Sequence, residues 1–283
     1  MDILVTGSKG FLGKKICERL RVLGYNVDEI DFGNGQDINK LETFSPFSSA
    51  KLIIHLAAKS YVPDSMNNPI DFYNTNIIGT LNVLETARKN QARVIFFSSY
   101  IYGNPEFLPV TEIHSKNPHN PYAQSKLIGE DLCFAYYRDF NVPSIVFRPF
   151  NIYGPGQVGN FLFPTILNQI SSGKIKLKDP LPKRDYIHCD DIVEAVVQAV
   201  KKDELKFETF NLGTGVSFSV KDIMDIIRLN SQSNFDVEFE NVSRKSEVLD
   251  CYADITKTKK LLNWTPAKNL ETGIKELLKI YNL

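Results

Sequence analysis

Blocks of apolar and polar residues divide the first half of the chain into repeating units. Ile3, Leu4 and Val5 form a short apolar run with β-branched members, the pattern of a buried strand. Leu12, Ile16, Leu20 and Leu23 then recur at helical intervals. A second apolar segment covers 25–30 and ends at Asp31, and the polar loop Gly33-Asn34-Gly35-Gln36-Asp37 follows. The pattern predicts further strands at 51–56, 93–97 and 143–147, a short helix at 39–44, and long helices over 69–89 and 122–140. Asn120-Pro121 marks the start of the last helix, with Asn as cap and Pro in the first turn. Strands alternating with helices predict an α/β fold with a doubly wound parallel sheet covered on both faces.

The pattern loosens after Arg148. Residues 151–159 are rich in Gly and Pro, and helices are expected at 162–170, 190–201, 220–229 and 270–280, with a strand at 174–177. Residues 210–215 end in turn residues. We therefore expect a nucleotide-binding domain over 1–150 and a smaller, mixed α/β substrate domain over 151–283, interleaved with the end of the sheet. No flexible linker separates them.

The first turn carries a chemical signal. Gly7, Gly10 and Gly13 follow the first strand at spacings of three and open its helix. A backbone without side chains at Gly7 and Gly10 lets a diphosphate approach, and the N–H groups and dipole of the new helix favour its charge. Gly13 allows the helix to pack on the strand. Asp31 stands where an acid meets the adenosine ribose hydroxyls of a dinucleotide, which completes a Rossmann-type site. A tight strand-to-helix turn that binds nothing is the competing reading of the glycines alone.

Composition narrows the partners. At 283 residues the chain can bury a substantial core. Lys+Arg and Asp+Glu both total 33, so no net charge draws it to nucleic acid or an anionic membrane. No stretch approaches the ~20 apolar residues of a membrane span. The N-terminus enters a strand at once, without a basic region and apolar signal core. Cys17, Cys133, Cys189 and Cys251 are scattered with no Cys-x-x-Cys pair, which suits a cytoplasmic protein with reduced thiols. The histidines are scattered too, and no metal site is expected.

Tyr122 and Lys126 are four apart on one helix face. A free phenol has a pKa of about 10 and is a poor base at neutral pH. A nearby ammonium favours the phenolate, so the pair can exchange a proton with a sugar or alcohol oxygen. Ser98 ends a strand, where ligands gather in such folds, and its hydroxyl could hold the same oxygen; Ser99 is its close competitor.

Several segments carry a resemblance. They are Thr6-Gly7-x-x-Gly10-Phe11-Leu12-Gly13, His55-Leu56-Ala57-Ala58, Ser98-Ser99-x-x-Tyr102-Gly103 and Tyr122-x-x-x-Lys126. Arg148-Pro149-Phe150-Asn151-Ile152-Tyr153-Gly154, Arg184-Asp185-Tyr186-Ile187-His188, Asn211-Leu212-Gly213 and Leu262-Asn263-Trp264 extend it. Together they resemble the extended short-chain dehydrogenase/reductase family, and more closely its nucleotide-sugar epimerase/dehydratase branch. The resemblance implies Ser98, Tyr122 and Lys126 as the catalytic residues. It implies a cofactor site formed by Gly7, Gly10, Phe11, Leu12, Gly13, Asp31, Asp37, Ile38, Leu56, Ala57, Ala58 and Pro149, besides Tyr122 and Lys126. For the substrate it implies Asn151 and Arg184 at the diphosphate of a nucleoside-diphosphate sugar, and Arg244 and Glu247 near the nucleotide. Leu162 and Leu177 fall where the base is sandwiched, and Ser99 sits beside the sugar. Homodimerisation through the helices near 69–89 and 121–140 is implied as well.

Departures from the family pattern narrow the chemistry. The branch's 4,6-dehydratases carry an Asp-Glu pair where this chain has Ser99 and Tyr100, which argues against dehydration. The segment from Asp31 to His55 is short, as in compact 4-keto-sugar reductases. Asp31 favours NAD, while Lys9 in the glycine turn leaves NADP possible. The leading expectation is thus a 4-keto-6-deoxysugar reductase acting at C4 of a nucleoside-diphosphate sugar. A 4-epimerase using the same triad with tightly bound NAD is the alternative, and a non-catalytic dinucleotide sensor a third.

Overall fold

The computed structural model describes residues 1–242 and 248–283. The first half runs β1 (Asp2–Thr6), α1 (Phe11–Val22), β2 (Asn26–Ile30), β3 (Leu52–His55), α2 (Val62–Asn67), α3 (Pro69–Tyr73), α4 (Gly79–Asn90), β4 (Arg93–Phe97), α5 (Pro121–Phe140) and β5 (Ser144–Pro149). The second runs β6 (Asn151–Tyr153), α6 (Leu162–Ile170), β7 (Lys174–Leu177), β8 (Lys183–His188), α7 (Cys189–Val200), β9 (Phe207–Leu212), β10 (Ser217–Ser219), α8 (Val220–Asn230), β11 (Asp236–Phe239), α9 (Thr256–Leu262) and α10 (Leu270–Tyr281).

The central sheet is parallel throughout, in the order β2-β1-β3-β4-β5-β9. Alternate residues of its strands feed two cores, as a two-residue period requires. Ile3, Val5, Ile54, Ile95 and Phe147 face α1 and α7, while Leu4, Ile53, Val94, Phe96 and Val146 face α4 and α5. The chain turns outward to β2 and then back across β1 to β3. That reversal opens a crevice at the strand ends. A third core gathers Phe163, Ile166, Ile175, Tyr186, Ile223 and Ile274 from the second half. Two small sheets, β10-β8-β6 and β11-β7, lie there.

Several details depart from the periodicity. The expected helix at 39–44 is a 3-10 segment, Leu41–Phe47, with Pro46 inside it. The helix expected over 69–89 is interrupted by a π turn, Asn74–Ile78, between α3 and α4, and α2 precedes it. Asn76 explains the wide turn: its side chain accepts from Lys59 N at 2.9 Å and donates to Lys59 O at 3.0 Å and Ser125 Oγ at 2.8 Å. Residues 207–212 form a sheet strand, although only turn residues stood out there.

Candidate active site

The glycine turn packs where the sequence placed it. Gly7 adopts φ +72°, and a Cβ there would lie 2.7 Å from Ala57 N, so only glycine fits between β1 and β3. A Cβ on Gly13 would lie 2.1 Å from Gly7 O. No side chain caps α1 at Gly10, which leaves its first N–H groups for an anion. Asp31 is oriented by two backbone donors, Lys9 N at 2.9 Å and Gly33 N at 2.8 Å. Lys9 itself does not line the cleft; its stem passes Gly33, and its main-chain N–H is what serves the site. The other expected cofactor positions, Phe11, Leu12, Asp37, Ile38, Leu56, Ala58 and Pro149, all line one cleft of about 1530 Å³ with Gly7, Gly10 and Asp31. A single drug-sized ligand needs roughly 300–1,000 Å³, so this space suits two bound molecules.

The same cleft reaches the start of α5. Asn120 accepts from Ala123 N at 2.8 Å and sets the helix start, which aims Tyr122 and Lys126 at the crevice. Tyr122 is partly open to the cleft. Burial raises its pKa, and the neighbouring Ser99 hydroxyl offsets that rise only in part. Lys126 is 4% exposed and donates to Phe97 O at 2.7 Å, with Phe96 5.1 Å away beneath its charge. Burial brings its pKa down to about 8. In this geometry the amine turns to a backbone carbonyl, and the influences on the phenol are burial and Ser99, so the expected action of the lysine's charge on the phenol is not met. Ser98 is 3% exposed and its hydroxyl finds no partner among the described residues. An orphaned buried hydroxyl at a cleft wall suits a substrate oxygen. Ser99, not Ser98, is the serine against Tyr122 here.

A buried polar chain, missed in the sequence, ties these walls together. Ala57 N donates to Thr6 Oγ1 at 3.3 Å, and Thr6 Oγ1 meets His55 Nδ1 at 2.7 Å. His55 Nε2 meets Thr80 Oγ1 at 3.1 Å, and Thr80 donates to Asn76 O at 2.6 Å. Because Thr80 gives its proton away, His55 carries its own on Nε2 and accepts from Thr6. Burial, with the charge of Lys126, pulls the His55 pKa down to about 3. The thread continues through Asn76 to Ser125, whose hydroxyl donates to Tyr122 O at 2.7 Å. Asn76 and Thr80, four apart on a largely apolar helix face, were the available signal.

On the far wall stand Asn151, Leu162, Leu177 and Arg184. Asn151 Nδ2 donates to Asp185 O at 3.2 Å, and Arg184 Nη1 donates to Lys183 O at 2.7 Å and Val248 O at 2.6 Å. Asp185 points the other way, accepting from Thr214 N at 2.8 Å, Gly215 N at 2.9 Å and Ala253 N at 3.1 Å. An Arg184–Asp185 ion pair therefore does not explain either residue. Arg244 and Glu247 lie outside the described residues. Tyr61 and Phe161, also lining the cleft, touch edge to face with ring centroids 6.0 Å apart. Neither stood in a recognisable motif. Away from the cleft, His188, Cys189 and Asp190 bring potential ligand atoms within 4.8 Å of one another. The Lys268 ammonium already occupies that spot, 2.7 Å from Asp190 and 2.5 Å from Glu276.

Comparison with known proteins agrees with this layout. Residues 3–213 match the NAD dependent epimerase/dehydratase family. A putative UDP-glucose 4-epimerase of Methanocaldococcus jannaschii is 32% identical, with 98% of this chain and 97% of that protein aligned. The UDP-glucose 4-epimerase of Bacillus subtilis is 29% identical over 96% of this chain and 94% of its own. Among solved structures, the Thermotoga maritima UDP-glucose 4-epimerase with UDP-glucose superposes with TM-score 0.92 at 27% identity, covering 100% of this chain and 99% of that one. The Bacillus cereus UDP-glucuronic acid 4-epimerase, in complex with UDP-glucuronic acid and NAD, gives 0.90 at 25% identity, covering 100% and 99%.

Proposed function

The chain belongs to the NAD dependent epimerase/dehydratase family, and we propose that within it the protein is a UDP-sugar 4-epimerase with NAD as its resident cofactor. One observation carries the reading: a single cleft joins the glycine turn and Asp31 to Tyr122 and Lys126, and continues to Arg184. The similarity over 98% of the chain to a putative 4-epimerase favours epimerisation over the 4-keto-sugar reductase expected from the short segment between Asp31 and His55.

The residues present suit the cofactor. The uncapped start of α1 and the Cβ-free cradle at Gly7 accept a diphosphate, and the oriented Asp31 carboxylate accepts from ribose hydroxyls while opposing a 2′-phosphate. Bound NAD supplies a reversible acceptor for the hydrogen at C4. Tyr122, as the phenolate, takes the O4 proton and later returns it, so the side chain ends each cycle as it began. Ser98 offers its unpartnered hydroxyl to the same oxygen, and Ser99 holds the phenol. Lys126, which donates to the Phe97 carbonyl here, would hold the cofactor's ribose, and its charge there would favour the phenolate. Asn151 and Arg184 hold the diphosphate, Arg184 through its planar fork. Leu162 and Leu177 flank the base. Tyr100 stands in place of a dehydratase carboxylate, and its phenol, raised by burial, donates to Gly103 O at 2.6 Å.

Incubation with UDP-glucose or UDP-galactose, followed by NMR and by absorbance at 340 nm, tests the reading. Interconversion with no net absorbance change supports it, and Tyr122→Phe should lower the rate by roughly 10²–10⁴-fold while UDP binding persists. Steady NAD(P)H consumption with a 4-keto sugar, without interconversion, would return the assignment to the reductase. A homodimer through the outer faces of α3 to α5, where Ile70, Ile78, Phe134 and Phe140 are exposed, belongs to the same proposal. Sedimentation at micromolar concentration tests it.

A further inference from the structure

Tyr122, Lys126 and Glu130 are spaced four apart, so they lie on successive turns of one stripe of α5. The Glu130 carboxylate takes a planar fork from Arg148, Nε at 2.8 Å and Nη2 at 2.6 Å. Nη1 of the same guanidinium donates to the Tyr102 phenol oxygen at 2.8 Å and to Glu112 O at 3.0 Å. Tyr102 in turn donates to Asn211 Oδ1 at 2.6 Å. The Arg148 and Glu130 side chains are only 4% and 5% exposed. Arg148 immediately precedes Pro149, and Tyr102 lies three residues beyond Ser99. One guanidinium thus joins α5 and the segment after β4, which carry the proposed catalytic groups, to the end of β5, which carries the proposed cofactor position Pro149.

Burying such a pair is costly, and apolar residues of the same volume commonly serve stability as well or better. Its place one turn from Lys126 suggests another use. We propose that Glu130 and Arg148 are positioning residues: they fix the roll of α5 and hold a negative charge one turn from Lys126, so that Tyr122 and Lys126 stay poised at the cleft. The inference rests on the reading of that pair as the proton-exchanging centre of a UDP-sugar 4-epimerase. The groups facing Lys126 are consistent with it. Burial lowers the lysine's pKa to about 8, and Glu130 and Cys133, from its own helix, oppose that fall. His55, from β3, is neutral at that pH, and the Phe97 carbonyl and Phe96 ring of β4 carry no net charge. Burial raises the Cys133 thiol and keeps it neutral, so the Glu130 carboxylate, paired with Arg148, is the anion on that stripe that favours the ammonium.

The test compares Glu130→Gln, which keeps the shape and loses the charge, with Glu130→Asp, which keeps the charge. Glu130→Gln should lower kcat roughly tenfold or more, leave KM for UDP-sugar within about threefold, and move the alkaline limb of the kcat profile down by about one pH unit. Glu130→Asp should lower kcat but leave that limb where the wild type has it. A readout apart from turnover is thermal unfolding against pH. Wild-type stability should rise between pH of about 8 and 10.5, because the unfolded chain holds the Lys126 proton there and the folded one does not. In Glu130→Gln the rise should begin at lower pH. Should the Gln variant not fold, Arg148→Lys carries the test, with kcat reduced by loss of the fork and the limb unmoved. A wild-type kcat and limb in Glu130→Gln, a shifted limb in Glu130→Asp, or wild-type kcat in Arg148→Lys would overturn the proposal. If the wild-type enzyme epimerises and Tyr122→Phe does not, that failure is confined to Glu130 and Arg148. A wild-type enzyme that converts no UDP-sugar overturns both readings.

Discussion

Replacing Gly7 by Ala tests the packing of the first turn against β3. Two costs add at this position. An L-residue at φ +72° sits in the left-handed region, at about 1–2 kcal/mol. The new Cβ also meets Ala57 N at 2.7 Å and Ala57 Cα at 2.9 Å, where ordinary contact begins at 3.4 Å. Both obstacles are backbone, so the exit of β3 must yield by about 0.7 Å rather than a side chain swinging away. Overpacking of this kind costs ~1–3 kcal/mol, for a total of ~2–5 kcal/mol. Gly24→Ala is the control, since Gly24 has φ +86° and nothing within 4 Å. It carries only the first cost. Urea unfolding of both variants gives the difference, and NADH titration by fluorescence gives the effect on the cradle. Moving Ala57 disturbs the chain through Thr6 and His55 as well, so NADH affinity should fall by ~10–100-fold in Gly7→Ala and stay unchanged in Gly24→Ala. Equal destabilisation of the two variants, or unchanged NADH affinity in Gly7→Ala, would refute the close approach of β1 and β3.

Three further outcomes follow from other parts of the site. Asp31→Ser should raise kcat/KM or binding for NADP relative to NAD by roughly tenfold, because the carboxylate held by Lys9 N and Gly33 N no longer opposes a 2′-phosphate; titration with both dinucleotides checks it. His55 has a folded pKa of about 3 against 6.5 ordinarily, so its stabilisation is complete above pH 6.5 and is lost as pH falls through about 3, up to ~5 kcal/mol. Acid unfolding of His55→Asn should show a shallower slope across that window. Asp185→Asn puts an amide donor against the donors of Thr214, Gly215 and Ala253 and should cost about 2–4 kcal/mol in urea unfolding.

The first half was readable because its elements are long and periodic and its turn needs a rare backbone. Ile3 to Val5, the three glycines and Asn120-Pro121 each left a local trace, and α6 and β7 fall where expected at Leu162–Ile170 and Lys174–Leu177. The strands β6, β8 and β10 left none. Lys183–His188 mixes charges with aromatics, and it becomes a strand only because Ser217–Ser219 and Asn151–Tyr153 pair with it. The break in the long helix at Asn76 was hidden for the same reason, since its cause lies on Lys59 and Ser125. At the candidate site, residue types and spacing were legible in the sequence, but orientation was not. It could not reveal that the Lys126 amine turns to Phe97, or that Ser99 rather than Ser98 meets the phenol.

The order of strands in the central sheet bears on how a growing polypeptide matures. The outer flank of β5 is covered at six successive positions by β9, which the ribosome delivers more than fifty residues later. Until then Ile145, Val146 and Phe147 present an unpaired apolar edge, the kind of surface that recruits other chains. A prematurely terminated product ending near residue 150 should therefore self-associate and depend on chaperones, whereas one reaching residue 212 can close its own sheet.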